Sequence, residues 1–430
     1  MADLLALSAR IIDEGLTDEP TNRVTQELSE VSDELAVVES FSHVVALRTS
    51  AGLVAFDTSG AQTGGACVAS LRAWTGEPIS HLVYTHGHVD HVGGSGAFIA
   101  DAERRGDPRP QVVAHEAVHD RFERYRLTDG WNVSINMRQF GWLPRATNLG
   151  IGGMQRFLPE DVAEPDVTYR DVLSLDAGDT SIELHHARGE TDDHTWAWLP
   201  EQKAICAGDF LIWNFPNAGN PQKVQRYPDE WAVALRTMAA LEPELFLPAH
   251  GLPIAGKERI ALVLDEVATA LEDLVQGVLE RMNAGARLDQ ILQEVKVPDA
   301  VLARPFLRPF YDEPEFVVRN VWRRFGGWWD GDPANLKPAP AAALAQEVAG
   351  LAGGALALAR RGEEVAGTDL RLACHLVELA GLAAPEDREV HRIRADVYER
   401  RRKGETSLMA MGIYSSAVRE STDALGDGAD

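Results

Sequence analysis

Between Tyr84 and Gly94 the chain reads Tyr-Thr-His-Gly-His-Val-Asp-His-Val-Gly-Gly, which crowds His86, His88, Asp90 and His91 together directly after the apolar run His81-Leu82-Val83-Tyr84. Imidazole and carboxylate are the side chains that Zn²⁺ and similar divalent ions take at close range. On an extended segment His86 and His88 point to the same side, because side-chain direction repeats every two residues. Asp90 and His91 are adjacent and diverge, so they are better placed to serve a second ion beside the first. Gly93-Gly94 lets backbone pass close to the cluster with no Cβ in the way. A lone histidine near a strand end is ordinarily a surface group; this packed set is a metal site.

The strand leading into the motif is one of a series. Leu35–Val38, Val44–Leu47 and Leu53–Phe56 read as successive strands, the last ending in the turn signal Asp57-Thr58-Ser59-Gly60. Pro110–Ala114, Ser181–Leu184, Thr195–Leu199, Ala204–Ala207 and Leu245–Pro248 follow, with helical stretches between them. Strands mixed with helices on this scale predict a layered α/β domain over 35–256, after an N-terminal helical segment over 1–34. Beyond Gly256 the pattern changes. Ile260, Val263, Leu264, Val267, Leu271, Leu274, Val275 and Val278 recur at helical spacing and predict one long amphipathic helix. It opens a segment, 257–340, whose second half is rich in proline and aromatics, with Trp322, Trp328 and Trp329; the last two read as packing residues or as a pocket lining. From 341 to 425 Ala/Leu-rich helices are broken near Gly353-Gly354, Gly367, Pro385 and Gly404, a spacing that suggests helical hairpins, before a tail over 426–430.

Composition limits what such a site can serve. The formal net charge is −25, from 66 acidic and 41 basic residues, and a surface of that sign repels nucleic acid and anionic membranes. A metal pair can still make one cleft positive. The three cysteines, Cys67, Cys206 and Cys374, are far apart and indicate neither disulfides nor a thiolate zinc site. No membrane-spanning run and no secretory leader is read, so a cytoplasmic location is expected. No GxSxG elbow competes with a metal mechanism.

Two further ligand candidates close predicted strands: Asp209 after Ala204–Gly208, and His250 after Phe246–Ala249. The order HxHxDH, a middle ligand, a strand-end Asp and a late His resembles the metallo-β-lactamase fold of hydrolases. That resemblance implies an α/β (α+β) fold in which a four-layer αββα sandwich holds two metals at one edge of its sheets. It also implies that His86 and His88 bind the first metal, that Asp90, His91 and His250 bind the second, and that Asp209 bridges both. Where many members have Gly-His-Thr as the middle ligand, this chain has Gly189-Glu190-Thr191, followed by Asp192, Asp193 and His194. A glutamate there resembles the alkylsulfatase branch of the fold and makes Glu190 the implied ligand. His194 is the alternative ligand, or otherwise orients a carboxylate or the substrate. Pro200–Ala204 and Phe325–Pro333 look like that branch too, and the helices that follow look like its all-α dimerisation domain, which implies a homodimer. Two departures stand out. Asp209 occupies a position where that branch typically has glutamate, and no counterpart of the sterol-carrier-like last domain of detergent-degrading members is seen, so a long-chain alkyl sulfate is not the expected substrate.

If Glu190 binds, three carboxylates surround the pair, which lowers its charge and favours hard ions. The resemblance implies two divalent ions, Zn²⁺ first, and a more anionic site also tolerates Mn²⁺ or Fe²⁺. Hydroxide generated between the metals would be the nucleophile, with Asp90 and Asp209 at the reacting centre. Lys223 and Arg226 are candidate clamps for an anionic substrate; Arg226 lies where the resembled branch has an arginine ahead of Pro-x-x-Trp, here Pro228–Trp231. The leading expectation is hydrolysis of a small-molecule alkyl or aryl sulfate. The same chemistry on a neutral ester, lactone or thioester is the alternative. A non-enzymatic interaction module is the third reading, and it fits less well because structural zinc sites are usually single and closed.

Overall fold

The computed structural model describes residues 3–140 and 156–426. It divides into two compact units, residues 1–133 with 147–327, and residues 134–146 with 328–430.

Two sheets form the frame of the first unit. The first has seven strands in sequence order: β1 (Leu28–Glu30), β2 (Leu35–Val38), β3 (Val44–Thr49), β4 (Gly52–Phe56), β5 (Ile79–Val83), β6 (Gln111–His115) and β7 (Val167–Tyr169). Its pairs are antiparallel from β1 to β4 and parallel from β4 to β7. The second has six: β8 (Val172–Ala177), β9 (Thr180–His186), β10 (Thr195–Leu199), β11 (Ala204–Gly208), β12 (Leu245–Pro248) and β13 (Ile254–Ala255). Within it only β11 and β12 run parallel.

Alternation along the strands explains the stacking. Leu35 and Val37, Val45 and Leu47, and Val54 and Phe56 meet Ile182, Leu184, Ala204, Cys206, Leu245 and Leu247 in one apolar layer between the sheets. The intervening residues face outward and are covered in turn. On the first sheet Val38, Val44, Ala46, Leu53 and Ala55 pack with α2 (Gly64–Trp74), α4 (Ser95–Arg105) and α5 (Ala117–Leu127). On the second, Ile205, Ala207 and Phe246 pack with α1 (Leu4–Glu14), α7 (Pro228–Ala240) and α8 (Lys257–Asn283). Strands apolar on both faces are what a sheet buried on both sides requires. The result is the αββα sandwich. The one-turn α3 (Val89–Val92) follows β5, and α6 (Asp129–Phe140) follows α5.

The domain limits differ from the sequence reading in two respects. α8 and the short α9 (Leu288–Glu294), α10 (Asp299–Leu302) and α11 (Pro314–Gly326) belong to the sandwich unit rather than to a separate linker. Ile260, Val263, Val267, Leu271, Leu274, Val317 and Val321 complete the apolar layer outside the second sheet, which would otherwise be left in water. The first sheet also begins earlier than Leu35, with β1 inside the segment read as helical.

In the second unit α12 (Pro333–Leu336), α13 (Ala341–Leu351), α14 (Ala355–Val365), α15 (Leu370–Ala383), α16 (Arg388–Lys403) and α17 (Leu408–Leu425) follow one another, and the expected breaks fall between helices. Asp369, Asp387 and Ser407 cap α15, α16 and α17 through their side-chain oxygens. Leu358, Ala373, Val377, Val390, Ile393 and Val397 form its core. Trp328 is 70% exposed, so it lines no packed interior among the described residues. The proposed tail lies outside the described residues beyond Gly426.

Candidate metal centre

β5 ends at Val83, and the extended segment after it carries His86 and His88; His88 then serves as the N-cap residue of α3, whose single turn carries Asp90 and His91. The change from extended to helical backbone is what sends the two pairs of ligands to different places. β11 and β12 are parallel neighbours, so the residues that follow them, Asp209 and His250, emerge at the same edge of the second sheet. Two clusters result: His86, His88 and Asp209 offer ligand atoms within 4.8 Å of one another, and so do Asp90, His91 and His250. Each cluster draws on both sheets.

Asp209 stands between them. Its Oδ2 lies 3.9 Å from His86 Nε2, and its Oδ1 lies 3.3 Å from His91 Nε2 and 3.5 Å from His250 Nε2. His86 Nε2 and His88 Nδ1 converge to 2.9 Å, and His250 Nε2 is 3.5 Å from Asp90 Oδ2. His91 Nε2 and Asp209 Oδ1 are both buried without a hydrogen-bond partner. Buried polar atoms normally have partners. Orphaned donors and acceptors converging from histidine and carboxylate fit divalent cations. Burial opposes charge on His91, but Asp209, Asp57 and Asp90 outweigh it and hold its pKa well above the ordinary histidine value. The side chains of His86 and His91 are fully buried, whereas those of Asp90 and His88 are 23% and 17% exposed, so the centre opens to solvent on the Asp90–His88 side.

Apart from His194, the supports of this centre are not visible in the sequence. Asp57, at the end of β4, accepts from the Thr85 N–H at 2.7 Å and the Thr85 hydroxyl at 2.8 Å, and its Oδ2 lies 2.7 Å from His91 Nδ1. It fixes both the turn into the motif and the ring of His91, as carboxylates behind metal-binding histidines do. His43 clasps the His250 turn. Its backbone N–H donates to Ala249 O at 2.7 Å, and its Nε2 donates to Gly251 O at 2.8 Å. The signal for Asp57 is the strand-to-turn position at Asp57–Gly60; His43, directly before β3, carries none. His194 accepts from the Asp209 N–H at 3.1 Å through Nε2 and stacks on Phe210. Gly208 must be glycine here: at φ +55° a Cβ would also sit 2.6 Å from His194 Nε2.

Glu190 lies beside the first cluster, with Oε1 3.4 Å from His88 Nδ1. It is also held from behind. Asn217 Nδ2 donates to the same oxygen at 2.5 Å, and Arg226 Nη1 lies 2.7 Å from it while donating to the Glu190 carbonyl at 2.6 Å. Burial, opposed by Arg226 and reinforced by Asp209, pushes the Glu190 carboxyl up to about 8. Arg226 is thus buried and committed to Glu190. Lys223 differs: among the described residues it has no ion-pair partner, its ammonium sits 5.1 Å from the Phe157 ring centroid, and Asp90 and Glu190 act on it. Burial and then Arg226 lower its pKa to about 8, which leaves it largely cationic at neutral pH. Tyr311, missed in the sequence, faces the same charges, Glu190 and Asp90. His185 stacks on Trp196 and His186 on His115, outside both ligand clusters.

Residues 37–250 match the metallo-beta-lactamase superfamily, and residues 287–423 match alkyl sulfatase dimerisation. A linear primary-alkylsulfatase of Pseudomonas sp. is 27% identical over 320 residues, covering 70% of this chain and 59% of that protein. An alkyl/aryl-sulfatase of Saccharomyces cerevisiae is 22% identical over 337 residues, covering 75% of this chain and 52% of that protein. The chain therefore spans between half and two thirds of the length of these curated relatives. Among solved structures, the stereoselective inverting sec-alkylsulfatase Pisa1 from Pseudomonas sp. superposes with a TM-score of 0.80 at 22% identity, covering 94% of this chain and 66% of that one.

Proposed function

From a chain that joins a metallo-beta-lactamase superfamily domain to an alkyl sulfatase dimerisation domain, we infer a metal-dependent hydrolase that cleaves a sulfate ester and works as a homodimer. The observation that carries the metal reading is Asp209, which stands between two ligand clusters with its Oδ1 buried and without a hydrogen-bond partner. His86, His88 and Asp209 would hold one ion, Asp90, His91, His250 and Asp209 the other, and Glu190 would complete the first. When bound, such a pair lowers the pKa of water toward neutrality and polarises the ester oxygen.

The chain's own residues supply the rest. Asp90 and His88 border the opening, so substrate meets the centre from that side. Lys223 supplies the cation for a non-reacting sulfate oxygen. Arg226 acts through Glu190, fixing that carboxylate beside His88 rather than reaching the substrate. The sulfate reading also draws support from the relatives, which are described as alkylsulfatases or as an alkyl/aryl-sulfatase. One observation favours a second reading, a neutral ester: with Arg226 committed, Lys223 is the single cation of the expected clamp left free.

The deciding experiment is hydrolysis by purified, metal-analysed protein across sulfate esters, carboxylic esters, lactones and thioesters, with the Lys223→Ala variant beside it. On the sulfate reading that variant loses about 10- to 100-fold in kcat/KM on sulfates, the worth of a charged hydrogen bond, and little on neutral esters. Turnover of neutral esters alone would overturn it.

A further inference from the structure

We propose that Arg121 is a positioning residue for the first metal site, acting through Asp193 on the peptide that joins His86 to His88. The inference rests on the two-metal reading above. Arg121 leaves α5, which carries none of the proposed ligands, and it is 3% exposed. Its Nε donates to Asp193 Oδ2 at 2.6 Å, and its Nη2 donates to Asp192 Oδ1. The same Asp193 oxygen accepts the Gly87 N–H at 3.0 Å. Asp193 is itself fully buried.

A buried guanidinium–carboxylate pair gives up the hydration of both partners, so its presence alone is a weak account of stability. Its geometry points elsewhere. A Cβ on Gly87 would lie 2.7 Å from Arg121 Cδ, 3.1 Å from Asp193 Oδ2 and 3.4 Å from Phe122 Cε1. The arginine stem, the carboxylate and the phenyl ring thus close directly over the residue between the two imidazoles. Three chain segments distant in sequence meet there: the loop after β5, α5, and the turn between β9 and β10. His86 Nε2 and His88 Nδ1 can converge to 2.9 Å only if that intervening peptide keeps its orientation. The other cluster is braced separately, His91 by Asp57 and the His250 turn by His43. Loss of Arg121 should therefore loosen one metal site and spare the other. A pair that merely stabilised the fold would weaken both.

The test is Zn²⁺ binding to the full chain by chelator competition, with thermal melting of the metal-free protein in parallel. Wild-type protein should bind two Zn²⁺. Arg121→Lys and Arg121→Gln should each keep one site at wild-type affinity and lose about 10- to 100-fold at the other, the usual effect of removing a support behind a ligand, with Lys milder. In a His88→Ala background, which removes the first site, Arg121→Lys should leave the remaining affinity unchanged. Should Arg121→Gln fail to fold, Arg121→Lys carries the test, since it keeps the charge and lacks the forked donors. Equal weakening of both sites, no weakening at either, or an Arg121→Lys effect that persists in the His88→Ala background overturns the proposal. Wild-type protein that binds no Zn²⁺ would instead sink the metal reading, and this inference with it.

Discussion

Acidifying the metal-free protein should cost about 3 kcal/mol of stability at His43 alone, and the residue's surroundings say why. His43 is buried, its Nδ1 accepts the Ser40 N–H at 3.1 Å, and its Nε2 donates to Gly251 O at 2.8 Å. The neutral ring is satisfied at both nitrogens, and a second proton on Nδ1 would face the Ser40 N–H. Burial first, and then the charge of His250, lower its pKa from 6.5 to about 4. The folded value lies below the unfolded one, so this stability is fully present above pH 6.5 and drains away as the pH falls toward 4. At about 1.4 kcal/mol per pH unit, that interval gives the ~3 kcal/mol. Urea unfolding of chelator-treated wild-type and His43→Gln protein, near pH 7.5 and near pH 4, isolates it. Glutamine keeps one donor and one acceptor but does not titrate, and the other buried histidines titrate alike in both proteins. The wild-type advantage should shrink by about 3 kcal/mol at acid pH. A gap that stays constant across the two conditions refutes the argument.

Other outcomes follow from the same geometry. Zn²⁺ at about a hundredfold excess over its dissociation constant should add ~2.7 kcal/mol per site, read as a chelator-reversible rise in Tm; no rise would count against both clusters. Loading metal near neutral pH should release protons, because burial with Asp209 pushes the Glu190 carboxyl up to about 8 and the neighbouring carboxylates hold His91 above its ordinary range. Calorimetry in buffers of different ionisation enthalpy should show that release shrinking above pH 8, and a pH-independent count would contradict it. Measured above pH 8, where the Glu190 carboxyl is ionised, Arg226→Ala should destabilise the metal-free protein by about 3–5 kcal/mol, since it strands a buried carboxylate, and adding Glu190→Gln should recover much of that loss. Strict additivity of the two changes in denaturation would show that the pair is not coupled.

The sandwich was legible because its buried strands are short continuous apolar runs and its turns carry their own punctuation. β2, β10 and β12 lie where the pattern put them. β1, β7 and β13 span three, three and two residues, too short to show any period. β8 sits at a sheet edge, where half-exposed side chains blur the contrast. At the site, residues whose chemistry announces a ligand were found from local spacing. Apart from His194, those that act by orientation were not, since Asp57, His43 and Arg121 contribute through partners 34, 208 and 72 positions away. Arg226 illustrates the converse. Its sequence neighbourhood suggested a free cation, and only the fold shows that Glu190 already holds it.

Each ligand cluster takes side chains from both sheets, whose broad contact is otherwise a greasy layer that has no directional preference. Metal would act there as a rivet. It would fix the lateral offset of one sheet on the other at the edge where the ligands meet. Supply of the ion during synthesis would then govern how much of the chain reaches a protease-resistant state, before any substrate is met.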